Sequence, residues 1–456
     1  MTGDVCPEEG LRVLVIGAGL AGLAVAISTK LANPAHQVTI LEAAKALQEI
    51  GAALQMTPNA TRLLEKWSVL DALRPDVIEP RSLTVRRYDG TEVLAHEGCL
   101  REVMEENYCA PFWNVHRVDL QRELVRRCRE LGVRIELGRR AVRVDFAKAT
   151  VVLAASGHMP QKGGRESDEV MAAEVGAERE SLRHGDVVIC AEGLWSSTRA
   201  QFLGAASPNP SPTGDIAYRI CLHTKDLRGP HRDEIAAFAR SEAALHVGLL
   251  MPDDDDDDSF PPGTIRADAD PAEMRAQFAA WDPFLARILS EVDSVQRWRL
   301  LWLEAPADWT SPDGRFFMLG DACHPMLPYL AQGANSALED GAVLGHLLGK
   351  IRNPDAGSYA SCQRLPAVAA MYQALRSGRG AEIQREAFAQ RHDFHLPDGE
   401  RQAARDEIFR TAARGDWEPG TDDAFPSRWT CPRVQKFLYG YDAYAEAEAL
   451  YQKNPF

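Results

Sequence analysis

The sequence predicts an α/β protein on three observations: an apolar strand running into a glycine-rich turn, a second strand closed by an acid, and a strand–loop–helix far down the chain. The first is Leu11–Gly22, LRVLVIGAGLAG. Four of the five residues Val13–Gly17 are β-branched or leucine, which suits a strand buried in a parallel sheet. Gly17, Gly19 and Gly22 then form G-x-G-x-x-G. Gly17 permits the tight turn, Gly19 lets backbone approach a pyrophosphate, and Gly22 lets the next helix pack on the strand. That helix, LAVAISTKLA, is apolar enough to lie on a sheet. The second observation is QVTILE, Gln37–Glu42, whose terminal Glu42 is placed to accept hydrogen bonds from adenosine ribose hydroxyls. Together these predict a dinucleotide site; the competing account is an ordinary βαβ unit with a small-residue turn.

The third is Phe316–Gly341, FFMLGDACHPMLPYLAQGANSALEDG. An apolar strand ends at Gly320-Asp321, prolines 325 and 328 stiffen a loop, and a helix opens at Gly333-Ala334-Asn335. The first N–H groups of such a helix lack partners and carry the positive end of its dipole, so the start favours an anion. Two such sites so distant in sequence imply one long cofactor held between them. After Glu42 the chain does not continue the βαβ alternation of a nicotinamide dehydrogenase. It breaks instead into Gly51-Ala52-Ala53-Leu54-Gln55, a helix after Pro58, and extended pieces such as Ser82–Tyr88. Arg117, ahead of the helix QRELVRRCRELG, is a candidate phosphate contact or an exposed N-terminal charge.

Composition narrows the classes. Lys+Arg 51 against Asp+Glu 66 gives net charge −15, which opposes nucleic-acid binding. No run of eighteen apolar residues exists, so no membrane span is expected. Nine scattered Cys without C-x-x-C fit a reducing, cytoplasmic setting rather than disulfides or zinc. No metal is expected. Monomer and homodimer both remain open.

The pieces GAGLAG with Glu42, HRVDL, DVVICAEGLWSSTR and GDACHPMLPYLAQGANSALEDGA stand in the order found in FAD-dependent aromatic hydroxylases. The chain resembles that family, the single-component flavoprotein monooxygenases similar to salicylate hydroxylase, which include many fungal secondary-metabolism enzymes. The resemblance implies a glutathione-reductase-like FAD-binding Rossmann domain (1–80, 112–200 and 314–350), interleaved with a β-sheet substrate domain (81–111 and 201–313). A C-terminal helical region (351–456) follows. It implies FAD as cofactor, NADPH or NADH as co-substrate, and insertion of one oxygen atom into an activated aromatic ring through a flavin hydroperoxide. Glu42, Ala53, Arg117, Asp321 and Ala334 then match family FAD contacts, and Gly51 and Gly333 beside them are further cofactor-binding candidates. Arg219, in GDIAYRI, matches the active-site arginine: permanently charged and able to grip a phenolate or carboxylate.

Three departures qualify the match. Relatives carry a Tyr about thirty residues after that arginine, yet no Tyr lies between Tyr218 and Tyr329, and ARSEAALHVGLLMP reads as a shortened strand with His246 the nearest polar aromatic. The family's Ala-Asp-Gly is Ala191-Glu192-Gly193. Gly157–Gly185 is a polar insertion expected to be a surface loop, as is the run Asp253–Asp258. A flavin oxidase or dehydrogenase, or a flavin-binding protein with impaired turnover, therefore stays open beside the small-phenol hydroxylase.

Overall fold

The computed structural model describes residues 10–47, 53–154, 181–239, 244–253, 260, 264–351, 364–416 and 425–456. Five parallel strands form its first sheet, in the order Phe316–Met318, Val187–Cys190, Arg12–Ile16, Gln37–Glu42 and Arg134–Leu137. The stretches VLVI, VVIC and FFM are buried throughout, as strands of a parallel sheet covered on both faces are. Their C-terminal ends deliver Gly17, Ala191 and Leu319 to one edge, where open α/β sheets bind ligands.

Two helices lie side by side on this sheet, Leu20–Ala32 and Gln332–Gly349. Their contact is built from small residues. Gly341 sits on Ala24, Gly345 on Ser28 and Gly349 on Ala32, so near that a Cβ on each glycine would fall 2.6, 2.5 and 2.1 Å from the facing Cβ. The matching steps run in the same direction, so the helices are parallel. Ser28 Oγ also donates to the Ala342 carbonyl at 3.0 Å.

A second sheet is antiparallel: Ala244–Pro252, Ser211–His223, Val295–Trp302 and Arg266–Ala269. Alternation divides it into two faces. Ile216, Tyr218 and Leu249 pack with Met274, Phe278 and Leu289 of two covering helices, whereas Arg219, Cys221, His246 and Trp298 face the other way, onto a cavity. The strand expected to be shortened is present. Ala244–Pro252 pairs with Ser211–His223 without interruption from Asp215↔Pro252 to His223↔Ala244. What the chain lacks is the tyrosine, since backbone ladder bonds do not depend on that side chain.

The expectation for the insertion also needs correction at its end. Ser181–His184 is a strand paired with Thr150–Leu153; residues 155–180 lie outside the described residues. Of the aspartate run, Asp253 is a buried partner of Arg299 at 2.5 Å rather than a solvated loop charge, and 254–258 lie outside the described residues. The helix Pro283–Ser290 opens on Asp282, which accepts the Phe284 N–H. Past Leu348 the described chain is helical, led by the 30-residue helix Leu365–Phe394. The aromatic C-terminal end packs on the molecule itself: Trp67 Nε1 donates to Tyr444 Oη at 2.7 Å, and Tyr444 Oη donates to Ser28 Oγ.

Candidate active site

A cavity of ≈ 1940 Å³ lies between the C-terminal edge of the parallel sheet and the polar face of the antiparallel one. Gly19, Ala53, Arg117, Arg219, Asp321, Gly333 and Ala334, predicted from five separate stretches, all line it. Gly51 lies outside the described residues. Gly17, Gly22 and Glu42 sit behind the turn that walls one end. Gly17 has φ +106° and packs against the Ala191 carbonyl, so the left-handed turn admits only glycine there. A Cβ on Gly22 would lie 2.1 Å from the Gly17 oxygen. Glu42 accepts N–H bonds from Ala18 and Ala44, both at 2.8 Å, one on each oxygen. It thereby shapes the turn, and each oxygen keeps a second lone pair for a hydroxyl.

Both parallel helices point their N-termini at this cavity, through Gly19-Leu20-Ala21 and Ala331-Gly333-Ala334. Neither start has a side-chain cap. Ala331, at φ +52°, turns the loop into the second helix. Side chains behind that start fix it: Asn335 Nδ2 donates to the Gln55 carbonyl at 2.9 Å, and Gln332 Nε2 to Thr57 Oγ1 at 3.0 Å. The strand Ala53–Met56 and the helix start are thus one wall.

Three ionised groups facing the cavity stand apart from Glu79 and Asp268, which have partners. Arg117, Arg219 and Asp321 make no hydrogen bond or ion pair among the described residues. Asp321 opens onto the cavity yet lies deep within the fold, so desolvation raises its pKa, against the opposing pull of His324 and Arg117. Desolvation and then Arg117 lower the pKa of Arg219, an electrostatic deficit that an anion would relieve. Arg219 lies over the Trp298 ring, 5.1 Å from its centroid. Tyr218, on the same strand, points into the core and donates to Gln277 Oε1, so it does not share the site with Arg219. Glu192 caps the helix Ser197–Leu203 by accepting from Thr198 N at 2.9 Å and Ser196 Oγ at 2.8 Å.

Sequence reasoning missed the support beneath Asp321. Asp340, fully buried, accepts the Gly320 N–H at 2.9 Å, pairs with His324 Nε2 at 2.5 Å and takes Arg376 Nε at 2.7 Å. Glu339 beside it pairs with Arg379 and Arg376 and accepts from Asn59 Nδ2 at 2.6 Å. Trp309 stacks on His324 with centroids 5.0 Å apart. Cys323, His324 and Asp340 cluster, but Cys323 Sγ donates to the Gly320 carbonyl and Asp340 is held by Arg376, which makes the cluster a hydrogen-bonded core. One signal was available. SALEDGAVLGHLLG places two adjacent acids in an otherwise small and apolar helix, and Arg376 and Arg379 sit three apart in a later one.

An open glycine turn, two uncapped helix starts and unpaired cations and acid on one cavity fit a cofactor with a pyrophosphate at one end and a polar ring system at the other. These are the features of an FAD-dependent oxidoreductase. A family profile described as an FAD binding domain matches residues 286–367. The FAD-dependent monooxygenase OpS4 of Beauveria bassiana is 43% identical over 97% of this chain and 97% of its own length. A 3-amino-4-hydroxybenzoate 2-monooxygenase of Streptomyces cremeus is 31% identical over 88% of this chain and 92% of its own. A solved salicylate hydroxylase substrate complex shares the fold at TM-score 0.66 and 20% identity, covering 96% of this chain and 98% of that one. The chain belongs to the FAD-dependent monooxygenases. Its fold is the glutathione-reductase-like FAD-binding one, its cofactor is FAD, and NADPH or NADH is the family's typical co-substrate. No helix among the described residues is long and apolar enough to cross a membrane.

Proposed function

We propose that this enzyme hydroxylates a small phenolic or salicylate-like aromatic at the expense of NAD(P)H and O2. The observation that carries this is Arg219, a cation without an acidic partner on the same cavity as the FAD-binding features. Ring hydroxylation is electrophilic, so a ring bearing an ionised hydroxyl reacts faster. A guanidinium beside that oxygen lowers its pKa and fixes its orientation. The relatives named for salicylate and for an aminohydroxybenzoate support an aromatic acid with a ring hydroxyl.

FAD, when bound, supplies the redox chemistry, taking a hydride from the nicotinamide and activating oxygen. The chain's own residues supply position and charge. The Gly17–Gly22 turn and the start of Leu20–Ala32 hold the pyrophosphate, with Arg117 as a further phosphate contact and Glu42 on the ribose. Asp321 accepts from the ribityl or ribose hydroxyls. The N–H groups at Gly333-Ala334 favour negative charge on the reduced ring system. Residues 1–80, 112–200 and 314–350 thus serve the cofactor, and 81–111 with 201–313 the substrate.

Arg219→Ala should cut product formation about 10²-fold or more while NAD(P)H oxidation continues, its electrons appearing as hydrogen peroxide. Product and peroxide are measured together against consumed NAD(P)H, across a panel of phenolic acids. An unchanged product yield would remove Arg219 from the chemistry. A purified protein that stays colourless after FAD is added would remove the whole reading.

A further inference from the structure

The polar face of the antiparallel sheet carries a second unpartnered group. His246 lies opposite Cys221 on the paired strands, and Arg219 lies opposite Gly248, two residues along. Residues two apart on a strand share a face, so His246 and Arg219 look into the same cavity from neighbouring positions. Neither ring nitrogen of His246 has a hydrogen-bond partner among the described residues. The groups around it are His223, Cys221 and Arg219 from the partner strand, with His116 and Arg117 from across the cavity; the His116 ring centroid is 6.2 Å away. The carboxylates of the cavity, Glu79, Asp268, Asp293 and Asp321, do not bear on its charge. A histidine placed so is held in its neutral form, because a proton on it would add to the positive charge already present.

We propose that His246 is the base that accepts the proton of the substrate's ring hydroxyl, while Arg219 holds the oxygen. In this step the substrate O–H bond breaks, its electron pair stays on oxygen as phenolate, and the proton forms a new N–H bond on the imidazole. The imidazolium later returns the proton to solvent. The assignment rests on the substrate class proposed above. It gives a part to the histidine that shares the cavity face of this sheet with Arg219. Burial first, then His116 and His223, lower the pKa of His246 below its ordinary value. At neutral pH the imidazole is therefore free to receive a proton, and a permanently charged neighbour offsets its weakness as a base.

The test uses the FAD-loaded enzyme and 4-hydroxy-3-nitrobenzoate, a probe whose phenol and phenolate forms differ in colour. Wild type should bind the phenolate below the pH at which the free probe ionises, and calorimetry in two buffers should show that the displaced proton stays on the protein. His246→Gln and the shorter His246→Asn should keep FAD and bind the probe as the neutral phenol. Hydroxylation by these variants should fall about 10²-fold at neutral pH and recover as the pH rises towards external ionisation of the substrate. A merely structural histidine would not produce that change of pH profile. Variants with the wild-type probe spectrum and pH profile would overturn the assignment. So would loss of probe binding in both variants with FAD retained, which would make His246 a binding group. Failure of wild type itself to bind the probe or oxidise any phenolic acid would instead overturn the substrate class, and this base with it.

Discussion

At Gly19 the backbone φ is −72°, ordinary for any residue, and an added methyl group would meet no atom within 4 Å. At Gly22 the same methyl would sit 2.1 Å from a carbonyl oxygen. One motif therefore contains positions that fail for different reasons. Gly19→Ala should melt with the wild-type apoprotein yet bind FAD more weakly, as read by flavin fluorescence on titration. Gly22→Ala should lose about 1–3 kcal/mol of apoprotein stability before any cofactor is added. Asp340 makes another residue-level expectation. Desolvation pushes its pKa up, but His324 and Arg376 outweigh it and hold the carboxyl at about 2. A depressed folded pKa contributes stability above the unfolded value, near about 4, and loses it as the pH falls through about 2. Asp340→Asn should cost about 3–5 kcal/mol at neutral pH, because Arg376 then keeps Glu339 alone and His324 Nε2 loses its carboxylate partner. Its denaturation midpoint in urea should then change less than wild type's between those two pH values. The motif glycines and Asp321 stand out in the sequence because local spacing marks a turn, a strand end and a helix start, whereas Arg219 was singled out by the family resemblance. Asp340 and Arg376 were not, since their pairing spans thirty-six residues of sequence and joins two helices.

The two parallel helices show the same limit one level up. Gly341, Gly345 and Gly349 recur every four residues, a spacing that places them on one face, and they were read only as part of a helix. Nothing local says which other helix will lie in that groove; Ala24, Ser28 and Ala32 are more than three hundred residues away in sequence. Filling the groove should push the helices apart. Gly345→Leu is expected to destabilise by about 1–3 kcal/mol and to weaken FAD binding in the refolded protein, both measurable on one sample by thermal melting and flavin fluorescence. The strand Ala244–Pro252 erred in the opposite sense. Its alternation was present in ALHVGLLMP, but the missing tyrosine was taken for a shortened strand. A ladder of backbone bonds carries that strand whatever its cavity-facing side chains are.

Across the whole molecule, the proline loop before the second helix and the antiparallel sheet meet at a buried aspartate. Asp215, on the central strand of the antiparallel sheet, accepts Tyr329 Oη at 2.7 Å from the proline loop that precedes the second helix. It also accepts Arg391 Nη2 at 2.7 Å and Nε at 2.5 Å from the helix Leu365–Phe394. Three segments far apart in the chain thus share one carboxylate, which fixes the sheet bearing Arg219 relative to the loop bearing Asp321. Asp215→Asn keeps the shape and removes the charge. It should leave FAD bound while raising the share of NAD(P)H oxidation that ends in peroxide, and a wild-type coupling ratio would show that the junction does not set this alignment. The small-residue contact between the helices has a consequence at this scale too. Because Leu20–Ala32 and Gln332–Gly349 are locked in register, their two positive ends stand at a set separation, and under the proposed placement of FAD they act as a bidentate receptor. Each anchor raises the effective concentration of the ligand at the other. The fold therefore measures its cofactor by length: a flavin without the adenylate half reaches one anchor only, and forfeits the advantage that comes from grasping both.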